Sequence, residues 1–268
     1  VILFSPARPA DLPRIRAASL TPSLASVEEV DTWAAQGGGD WHLSLDTGMH
    51  RAGVRWDALD PLLASIDRHP PAGAFTHFHS SELDDGSVEA QEERFRGAVA
   101  RLRARPRILH TQNSAAIVRC SPSPWDCVRP GIFLYGVGSG LRASLQPEPV
   151  VALRARILEV RDVAVGESVS YDATWRAARP SRIATVACGY ADGLRRHLGN
   201  RAHALVDGAR APIVGVVTMD MTMLDVTDAG AVVGEVVTFL GLSGAAGDLL
   251  TVESVADLGG LSPYELLT

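Results

Sequence analysis

The sequence predicts an α/β chain, with an incomplete (β/α)8 barrel of the TIM type over residues 1–147 and a mostly β domain over residues 148–268. Up to residue 147, short apolar runs alternate with stretches of helical periodicity, which is typical of parallel β/α units. After Pro147 and Pro149, apolar and polar residues alternate and no long helical pattern interrupts them. Because a complete barrel takes about 250 residues, we expect about five or six of its eight units here, with the N-terminal units missing.

Four apolar runs predict the strands of the first region. Each is short and is separated from the next by a helix-like stretch, as expected for strands of a parallel sheet. The runs are Ile2–Phe4, Trp41–Leu45, Gly73–Phe78 and Arg107–His110.

Three stretches between these runs predict helices. Ser26 and Glu29 have the spacing of a capping box, which predicts a helix over Val27–Gln36. The other two stretches carry apolar residues at helical spacing. These residues are Leu59, Leu62, Leu63 and Ile66 in one stretch, and Phe95, Val99 and Leu102 within Val88–Arg103 in the other.

The second region predicts a series of β-strands. Its first apolar residues, from Val151 to Val160, roughly alternate with arginines. Further β-like runs follow, separated by Gly, Asp and Asn turns. They are Ile183–Ala187, Ala204–Val206, Ile213–Val217, Met223–Val226 and Val236–Leu240.

Composition excludes several classes of protein. A net charge of −6 and a pI of about 5.7 argue against a nucleic-acid partner. No stretch of 18 or more apolar residues predicts a membrane span. The 3 cysteines are not closely paired, so we expect reduced structural thiols and no zinc site. Since the chain starts with Val1 and not with Met, we expect a fragment.

Several polar residues at predicted strand ends are candidates for chemistry. Arg51 follows the second strand and can clamp a carboxylate, although a solvated surface arginine would look the same. His77 and His79 share one face of an extended segment, but no third metal ligand is suggested, so we expect no metal. Ser114 opens a helical stretch, where it is either an N-cap or a phosphate ligand.

Seven motifs in order along the chain resemble alanine racemases. They are LSLDTGMHRAG at 43–53, THFHSSE at 76–82, QNSAA at 112–116, VRPGIFLYG at 128–136, VSYDATW at 169–175, GYADG at 189–193 and VVTMDMTMLDV at 216–226. The resemblance extends from about Val1 to Thr268. It implies a pyridoxal 5′-phosphate enzyme that interconverts L-alanine and D-alanine for the cell wall. Such enzymes hold the cofactor on a lysine, and this sequence contains no lysine; the family's lysine precedes the part matched by Val1.

The resemblance assigns the cofactor contacts to the first region. Asn113 and Ser114 match residues at the phosphate, and Gly131 and Ile132 match residues whose backbone N–H groups bind the same phosphate. Arg129 matches an arginine that faces the pyridine nitrogen, where most pyridoxal enzymes place a carboxylate. An arginine stays charged and only donates, so the nitrogen is unprotonated and side reactions such as transamination are disfavoured. Without the motif, a structural salt bridge explains Arg129 equally well.

The catalytic and substrate-binding residues follow from the same resemblance. Tyr171 matches the second base, with a pKa biased by a chain Tyr171–His77–Arg129. Arg51 matches an arginine near the substrate carboxylate; many members brace it with a carbamylated lysine at the position of Ser44. A serine does not do this, so a bound anion or another carboxylate must position Arg51.

In this family the β domain completes the active site of the partner subunit. The resemblance therefore implies a cytoplasmic homodimer in which Tyr171, Tyr190 and Met219 reach the other protomer's barrel. Tyr190 is alternatively a core or interface tyrosine. Met219 is the weakest of the three, because its side chain fits a packing role and only its backbone N–H would meet the substrate.

Two other hypotheses stay open. A broad-specificity amino-acid racemase would share every motif. A lysine-free relative that binds phosphate ligands or a protein partner would need no second base, so the tyrosine, histidine and both arginines argue against it. We also expect the fragment to lack a C-terminal segment that carries a further tyrosine at the cofactor phosphate.

Overall fold

The computed structural model describes residues 1–120, 122–138, 145–244 and 248–268. The chain divides into two compact units. The first contains Val1–Gly131, and the second contains Ile132–Gly138 and Pro147–Thr268. The sheet of the first unit is parallel, and that of the second is antiparallel. The predicted fold class, β/α units of the barrel type followed by a mostly β region, is confirmed.

The first unit alternates short strands with helices along the chain. Its strands are β1 (Ser23–Leu24), β2 (His42–Asp46), β3 (Val54–Arg55), β4 (Gly73–Phe75) and β5 (Ile108–His110). Its helices are α1 (Leu12–Ala17), α2 (Val27–Ala35), α3 (Asp60–Arg68), α4 (Ser87–Ala100) and α5 (Ser114–Arg119), with a 3-10 turn at Pro9–Asp11. The strand order is β1-β2-β4-β5, and β3 pairs with the end of β2.

The two faces of this sheet have different chemistry. Leu43, Ala74 and Leu109 belong to one hydrophobic core together with apolar residues of the helices. Because successive side chains of a strand alternate, His42 and His110 lie on the opposite face. The register places Gly73 beside His42, and Phe75 beside His110. This second face therefore carries buried polar and aromatic side chains.

The predicted start of α2 is confirmed at the level of individual hydrogen bonds. Ser26 Oγ accepts from the Glu29 N–H at 3.2 Å, and Glu29 Oε2 accepts from the Ser26 N–H at 3.1 Å. These bonds satisfy two of the N–H groups that a helix start leaves free. The helix ends at Ala35, one residue before the predicted end.

Other predicted boundaries in the first unit were wrong. The run Ile2–Phe4 forms only one bridge, from Ile2 to Thr21. The strand predicted over Gly73–Phe78 ends at Phe75, because the next carbonyl, that of Thr76, accepts from the side chain of Arg129 and not from a strand. Helix α1 and strand β1 were not predicted; they have 6 and 2 residues, too few to show periodicity.

The second unit is built around a seven-stranded sheet. Its strands are β6 (Leu153–Val163), β7 (Ser168–Val169), β8 (Trp175–Arg176), β9 (Ser181–Val186), β10 (His203–Val206), β11 (Ala209–Pro212), β12 (Thr222–Asp225), β13 (Val236–Ser243) and β14 (Asp248–Leu250). The order is β11-β10-β13-β6-β9-β12, with β14 on β13, and β7 pairs with β8 separately. Helices α6 (Val252–Gly259) and α7 (Pro263–Leu267) follow, and 3-10 turns lie at Ile132–Tyr135, Tyr171–Ala173, Tyr190–Asp192 and Arg196–Leu198.

One predicted strand of the second unit is replaced by a turn. The run Ile213–Val217 forms a single bridge, between Ile213 and Leu224. Gly215 has φ +75°, a left-handed conformation that ends the extended chain there. Residues 216–221 then form a turn that becomes part of the candidate site. None of the helices in the described ranges is both long enough and apolar enough to cross a membrane.

Candidate active site

The candidate residues of the first unit follow the carboxyl ends of its parallel strands. Arg51 lies in the loop after β2, His77 directly after β4, and Ser114 after β5. Since parallel strands end at one edge of a sheet, these loops gather there, as they do in barrel enzymes. Arg51 and Arg129 both lie near enough to His77 for their charges to lower its pKa. That these three residues and Ser114 meet at one mouth stays a prediction.

The loop after β2 is shaped by Asp46. One carboxylate oxygen of Asp46 accepts from the N–H groups of Gly48 at 2.9 Å and His50 at 3.1 Å. Gly53, with φ +102°, returns the chain so close to β2 that a Cβ would lie 2.9 Å from the backbone nitrogen of Asp46. The loop thus has a fixed shape at its base, and Arg51 extends from it into solvent.

No described residue braces Arg51. The side chain is exposed and has neither a hydrogen bond nor an ion pair within the described ranges, while Ser44 is buried on β2. The predicted carboxylate partner is therefore not found in this part of the chain. A bound anion, the other predicted brace, stays a prediction.

His77 is neutral at physiological pH. Burial lowers its pKa to about 4, and the positive charges of Arg129 and Arg51 act in the same direction. Its backbone carbonyl accepts from Gln91 Nε2 at 3.4 Å, and Gln91 also donates to Thr47 Oγ1 at 3.3 Å. Gln91, fully buried on α4, thereby ties the loop after β2 to the loop after β4.

Arg129 is the most extensively hydrogen-bonded residue of the site. Its Nη1 donates to the carbonyl oxygen of His110 at 2.9 Å and to Nδ1 of the same histidine at 2.7 Å. Its Nη2 donates to the carbonyl oxygens of Thr76 at 2.7 Å and Thr111 at 3.0 Å. The four terminal hydrogens are thus engaged, and no described group accepts from Nε–H. No described carboxylate pairs with this guanidinium, so the salt-bridge interpretation is not supported.

Burial lowers the pKa of Arg129 to about 10. The guanidinium therefore stays protonated at neutral pH, and it can only donate hydrogen bonds. It is held by neutral acceptors at the ends of β4 and β5, and its Nε–H meets no acceptor in the described part of the chain. This arrangement suits a ligand atom that accepts a hydrogen bond without carrying a proton.

Asn113, Ser114 and Gly131 form a second group in the same unit. Asn113 Oδ1 accepts from the Ala116 N–H at 3.0 Å, so Asn113 is the N-cap of α5 and Ser114 is not. Ser114 is buried, and a Cβ on Gly131 would lie 3.8 Å from its hydroxyl oxygen. The Gly131 N–H, predicted to face a phosphate, instead donates to the Arg129 carbonyl oxygen at 2.9 Å. Ile132 is buried in the core of the second unit.

The second unit contains a surface cleft of about 920 Å³ that is lined by Tyr171, Tyr190 and Met219. The three side chains are 69%, 44% and 60% exposed. Backbone bonds join two of their loops: the N–H of Tyr190 donates to the carbonyl of Thr218 at 2.9 Å, and that of Ala191 to the carbonyl of Met219 at 2.8 Å. The N–H of Met219 donates to no described group.

Tyr171 lies on a strained segment. Ser170, Asp172 and Ala173 have φ values of 70°, 61° and 48°, which residues other than glycine rarely adopt. Asn200 holds this segment in place, since it donates to Thr174 Oγ1 at 3.0 Å and accepts from the Gly215 N–H at 2.6 Å. Backbone strain of this kind persists where the surroundings impose it, and it is concentrated at functional sites.

Four functional candidates were missed from the sequence. They are His42, His110 and Gln91 in the first unit and Asn200 in the second. His42 and His110 are polar residues inside predicted buried strands. Since buried polar groups are usually hydrogen-bonded, each could have been expected to have a partner. Gln91 and Asn200 gave no signal without the tertiary structure. His79, by contrast, contacts Ser80 Oγ at 2.7 Å, and no described residues form a cluster of three or more potential metal ligands.

Two family models match almost the whole chain. One, described as "Alanine racemase, N-terminal domain", matches residues 1–139. The other, described as "Alanine racemase, C-terminal domain", matches residues 150–268. Both regions of the chain are therefore similar to successive domains of one family.

Three similar proteins, one compared by sequence and two by their solved structures, are also named alanine racemases. The alanine racemase of Sorangium cellulosum is 42% identical over 240 residues, which are 85% of this chain and 62% of the relative. The crystal structure of the Bacillus anthracis alanine racemase with bound L-Ala-P matches with a TM-score of 0.88 and 29% identity, over 99% of this chain and 72% of that chain. The Bartonella henselae enzyme with covalently bound pyridoxal phosphate matches with a TM-score of 0.86 and 26% identity, over 99% and 75%. The chain thus spans less than two thirds of the length of the first of these relatives.

Proposed function

The chain belongs to the alanine racemase family, and on that premise we propose that it takes part in the pyridoxal-phosphate-dependent interconversion of L-alanine and D-alanine. The observation that carries the proposal is the state of Arg129. Among the described residues this charged guanidinium has no carboxylate partner, donates to four neutral acceptors, and keeps an Nε–H that no group accepts. Such a group fits the ring nitrogen of this cofactor when that nitrogen is unprotonated.

The cofactor, when bound, would supply the electron sink that makes the Cα–H of alanine acidic enough to remove. The residues present fit its phosphate in part. Ser114 is buried and lies beside Gly131, whose Cβ position would be 3.8 Å from the hydroxyl oxygen. The Gly131 N–H is engaged with its own chain, so we assign the phosphate contact to the Ser114 hydroxyl first.

Inversion at Cα needs a base on each face of the substrate. We assign one to Tyr171, whose exposed phenol is held on a strained segment. His77, neutral because its pKa is lowered to about 4, would share one hydrogen bond with Tyr171. The predicted hydrogen bond from Arg129 to His77 is not found among the described residues, because the Nη groups of Arg129 donate to His110, Thr76 and Thr111. Arg129 therefore acts on His77 through its charge. Arg51, exposed and without a described partner, would bind the substrate carboxylate.

The other base is assigned to a lysine outside these 268 residues, because the sequence contains none. The chain by itself should therefore form no D-alanine. The test is to incubate it with pyridoxal phosphate and L-alanine, reduce with borohydride, and map any adduct. Turnover together with a stable adduct at one defined residue would contradict the assignment. The protein that contains this chain and a lysine segment is the positive control.

We also propose that the active protein is a homodimer with shared sites. The cleft that carries Tyr171, Tyr190 and Met219 exposes large side chains, which a second copy would cover. The D-alanine would serve the cell wall, and the reaction would take place in the cytoplasm, as the motif resemblance implies.

Shared sites make a sharp prediction for mixed dimers. In the lysine-containing protein, Tyr171→Phe and Arg129→Gln each remove one residue, from different units, and each homodimer should be inactive. In a mixed dimer, one of the two sites has neither substitution. Co-expression should therefore restore about a quarter of the wild-type activity, since about half of the dimers are mixed and each has one intact site. No restoration would show that each site is built within one chain.

A broad-specificity amino-acid racemase is the second candidate. Three of the 4 methionines of the chain, Met219, Met221 and Met223, line the cleft. Methionine side chains are unbranched and adapt to ligands of different shape. Comparing kcat/KM for alanine with kcat/KM for larger amino acids separates the two. A ratio near one would favour the broad enzyme, and a ratio above about a hundred would favour alanine.

A further inference from the structure

Two histidines that the proposed reaction does not use are buried side by side in the first unit. His42 on β2 and His110 on β5 are 3% and 1% exposed. Nδ1 of His42 and Nε2 of His110 are 2.9 Å apart, which is hydrogen-bond distance. Two titratable rings in contact under the edge of the sheet call for an explanation, because buried polar groups cost stability unless they are paired.

Gly73 makes this contact possible. Strand β4 lies between β2 and β5, and Gly73 is the residue paired with His42. A Cβ at Gly73 would lie 2.5 Å from Nδ1 of His42 and closer still to Cε1, so any side chain there would overlap the ring. The absence of a side chain lets the imidazole cross the middle strand and reach His110.

The direction of the hydrogen bonds follows from Arg129. A guanidinium only donates, so Nδ1 of His110 must be the acceptor of the 2.7 Å bond from Nη1. A neutral His110 then carries its proton on Nε2 and donates it to Nδ1 of His42. His42 in turn carries its proton on Nε2. Neutrality is consistent with the lowered pKa of both rings, about 3 for His110, where burial is the main cause.

The rings are also fixed in orientation. His110 stacks on Phe75, with centroids 5.2 Å apart and planes within 10°. The guanidinium carbon of Arg129 lies 5.6 Å from the centroids of Phe4 and Phe75. The hydrogen bond from Arg129 to the His110 ring therefore joins two groups that aromatic contacts already orient. Together with the three bonds to backbone carbonyls it fixes the rotation of the guanidinium.

We propose that His110, supported by His42, is a positioning residue that holds the guanidinium of Arg129 so that its Nε–H remains directed at the ligand. The assignment rests on the proposed function for the identity of that ligand. The hydrogen-bonded order Arg129 to His110 to His42 does not rest on it. His110 and His42 touch neither substrate nor cofactor in this proposal, and they act only through Arg129.

The first experiment uses the chain as it is. Long-range proton–nitrogen correlation spectra of the 15N-labelled protein distinguish the two histidine tautomers, with assignments from single His→Gln variants. At neutral pH we expect His110 and His42 to show an unprotonated Nδ1 and a protonated Nε2. A proton on Nδ1 of His110, or a charged ring, would overturn the proposal, because Arg129 then has no acceptor on that ring.

The second experiment uses the protein that also contains the lysine segment. His110→Leu removes the acceptor, whereas His110→Gln keeps one; His69→Gln, at an exposed position, is the matched control. We expect His110→Leu to lower kcat/KM about tenfold and to raise pyridoxamine phosphate formed per racemisation about tenfold, with His110→Gln within about threefold of wild type. A folded Leu variant whose side-reaction ratio is unchanged would reduce His110 to a packing role.

If His110→Leu does not fold, His42→Leu serves instead. It leaves Arg129 its acceptor and removes only the outer contact, so the expected rise in the side-reaction ratio is smaller, about threefold. An unchanged ratio in that variant contradicts the supporting role of His42. Should the wild-type protein racemise no amino acid at all, the proposed function fails, while the tautomer result still decides the hydrogen-bonded order.

Discussion

The candidate residues of the two units are held in opposite ways. In the first unit, His42 and His110 are buried, and they and Arg129 are joined to one another by hydrogen bonds between their side chains. In the second, Tyr171 and Met219 are mostly exposed, and their backbone, not their side chains, is fixed. We therefore expect substitutions in the second unit to change activity without changing stability, and substitutions in the first unit to change both.

The largest expected effect is on Tyr171. Tyr171→Phe in the lysine-containing protein should lower kcat by about 10²- to 10⁴-fold, the usual contribution of a general base, yet leave the unfolding midpoint unchanged because the phenol makes no described hydrogen bond. Enzyme assays and urea unfolding of the same preparation check both parts. A drop in stability as large as that of a core substitution would break the comparison.

Gly73→Ala should show the coupling in the first unit. The new methyl group overlaps the ring of His42, so we expect a loss of about 1–3 kcal/mol in the free energy of unfolding, together with loss of the His42–His110 contact. Gly97→Ala is the matched control. Gly97 lies within α4 with nothing near its Cβ position, so alanine should stabilise by about 0.5–1 kcal/mol. If both substitutions change the free energy of unfolding equally, the ring of His42 moves aside freely.

Substitutions of Asn200 test whether the strained segment around Tyr171 contributes to activity. Asn200→Gly removes both side-chain bonds but suits the φ of 58° at this position. We expect about tenfold lower kcat, because Tyr171 loses its fixed position, with a loss of stability of only about 1 kcal/mol. Asn200→Asp keeps the acceptor for the Gly215 N–H and should recover part of the activity. Wild-type activity in the glycine variant would show that the segment holds Tyr171 without this brace.

A pH dependence of stability should originate in the first unit. The folded-state pKa values of His77 and His110 are lowered to about 4 and about 3, below the ordinary value of 6.5. As pH falls through 6.5, the unfolded chain takes up protons that the folded chain does not. Stability therefore decreases from there down to about pH 4 for the contribution of His77 and about pH 3 for that of His110. Urea unfolding at pH 7 and pH 5 should show the decrease, and His77→Gln should reduce it. His203→Gln, in the second unit, should change the slope less.

The fold was predictable where local sequence signals and burial coincide. The capping box at Ser26 involves residues three apart, and the helix started where predicted. The strand end at Phe75 was not predictable, because Thr76 is bound by Arg129, 53 residues away. The run Ile213–Val217 has the composition of a strand. It does not form one, because Gly215 turns the chain toward Ser170.

The candidate site was predictable as far as motifs reach. They name Arg51, His77 and Arg129, and both arginines are near enough to His77 to lower its pKa. They give no indication that the Gly131 N–H is used by Arg129, or that Asn113 caps a helix. Motifs name residues one at a time, whereas these bonds depend on how neighbouring backbone groups satisfy each other. His42 and His110 were overlooked because each is an isolated histidine in the sequence, and their contact exists only across Gly73.

The packing of His42 over Gly73 also limits the routes by which this protein can evolve. A larger residue at position 73 is harmful while His42 is present, and it becomes tolerable only after position 42 has changed to something small. A loss of His42, in turn, leaves Nε2 of His110 without its acceptor. Substitutions at the two positions therefore have a preferred order, histidine first and glycine second, and a lineage that has taken the second step cannot regain the histidine without first restoring the glycine.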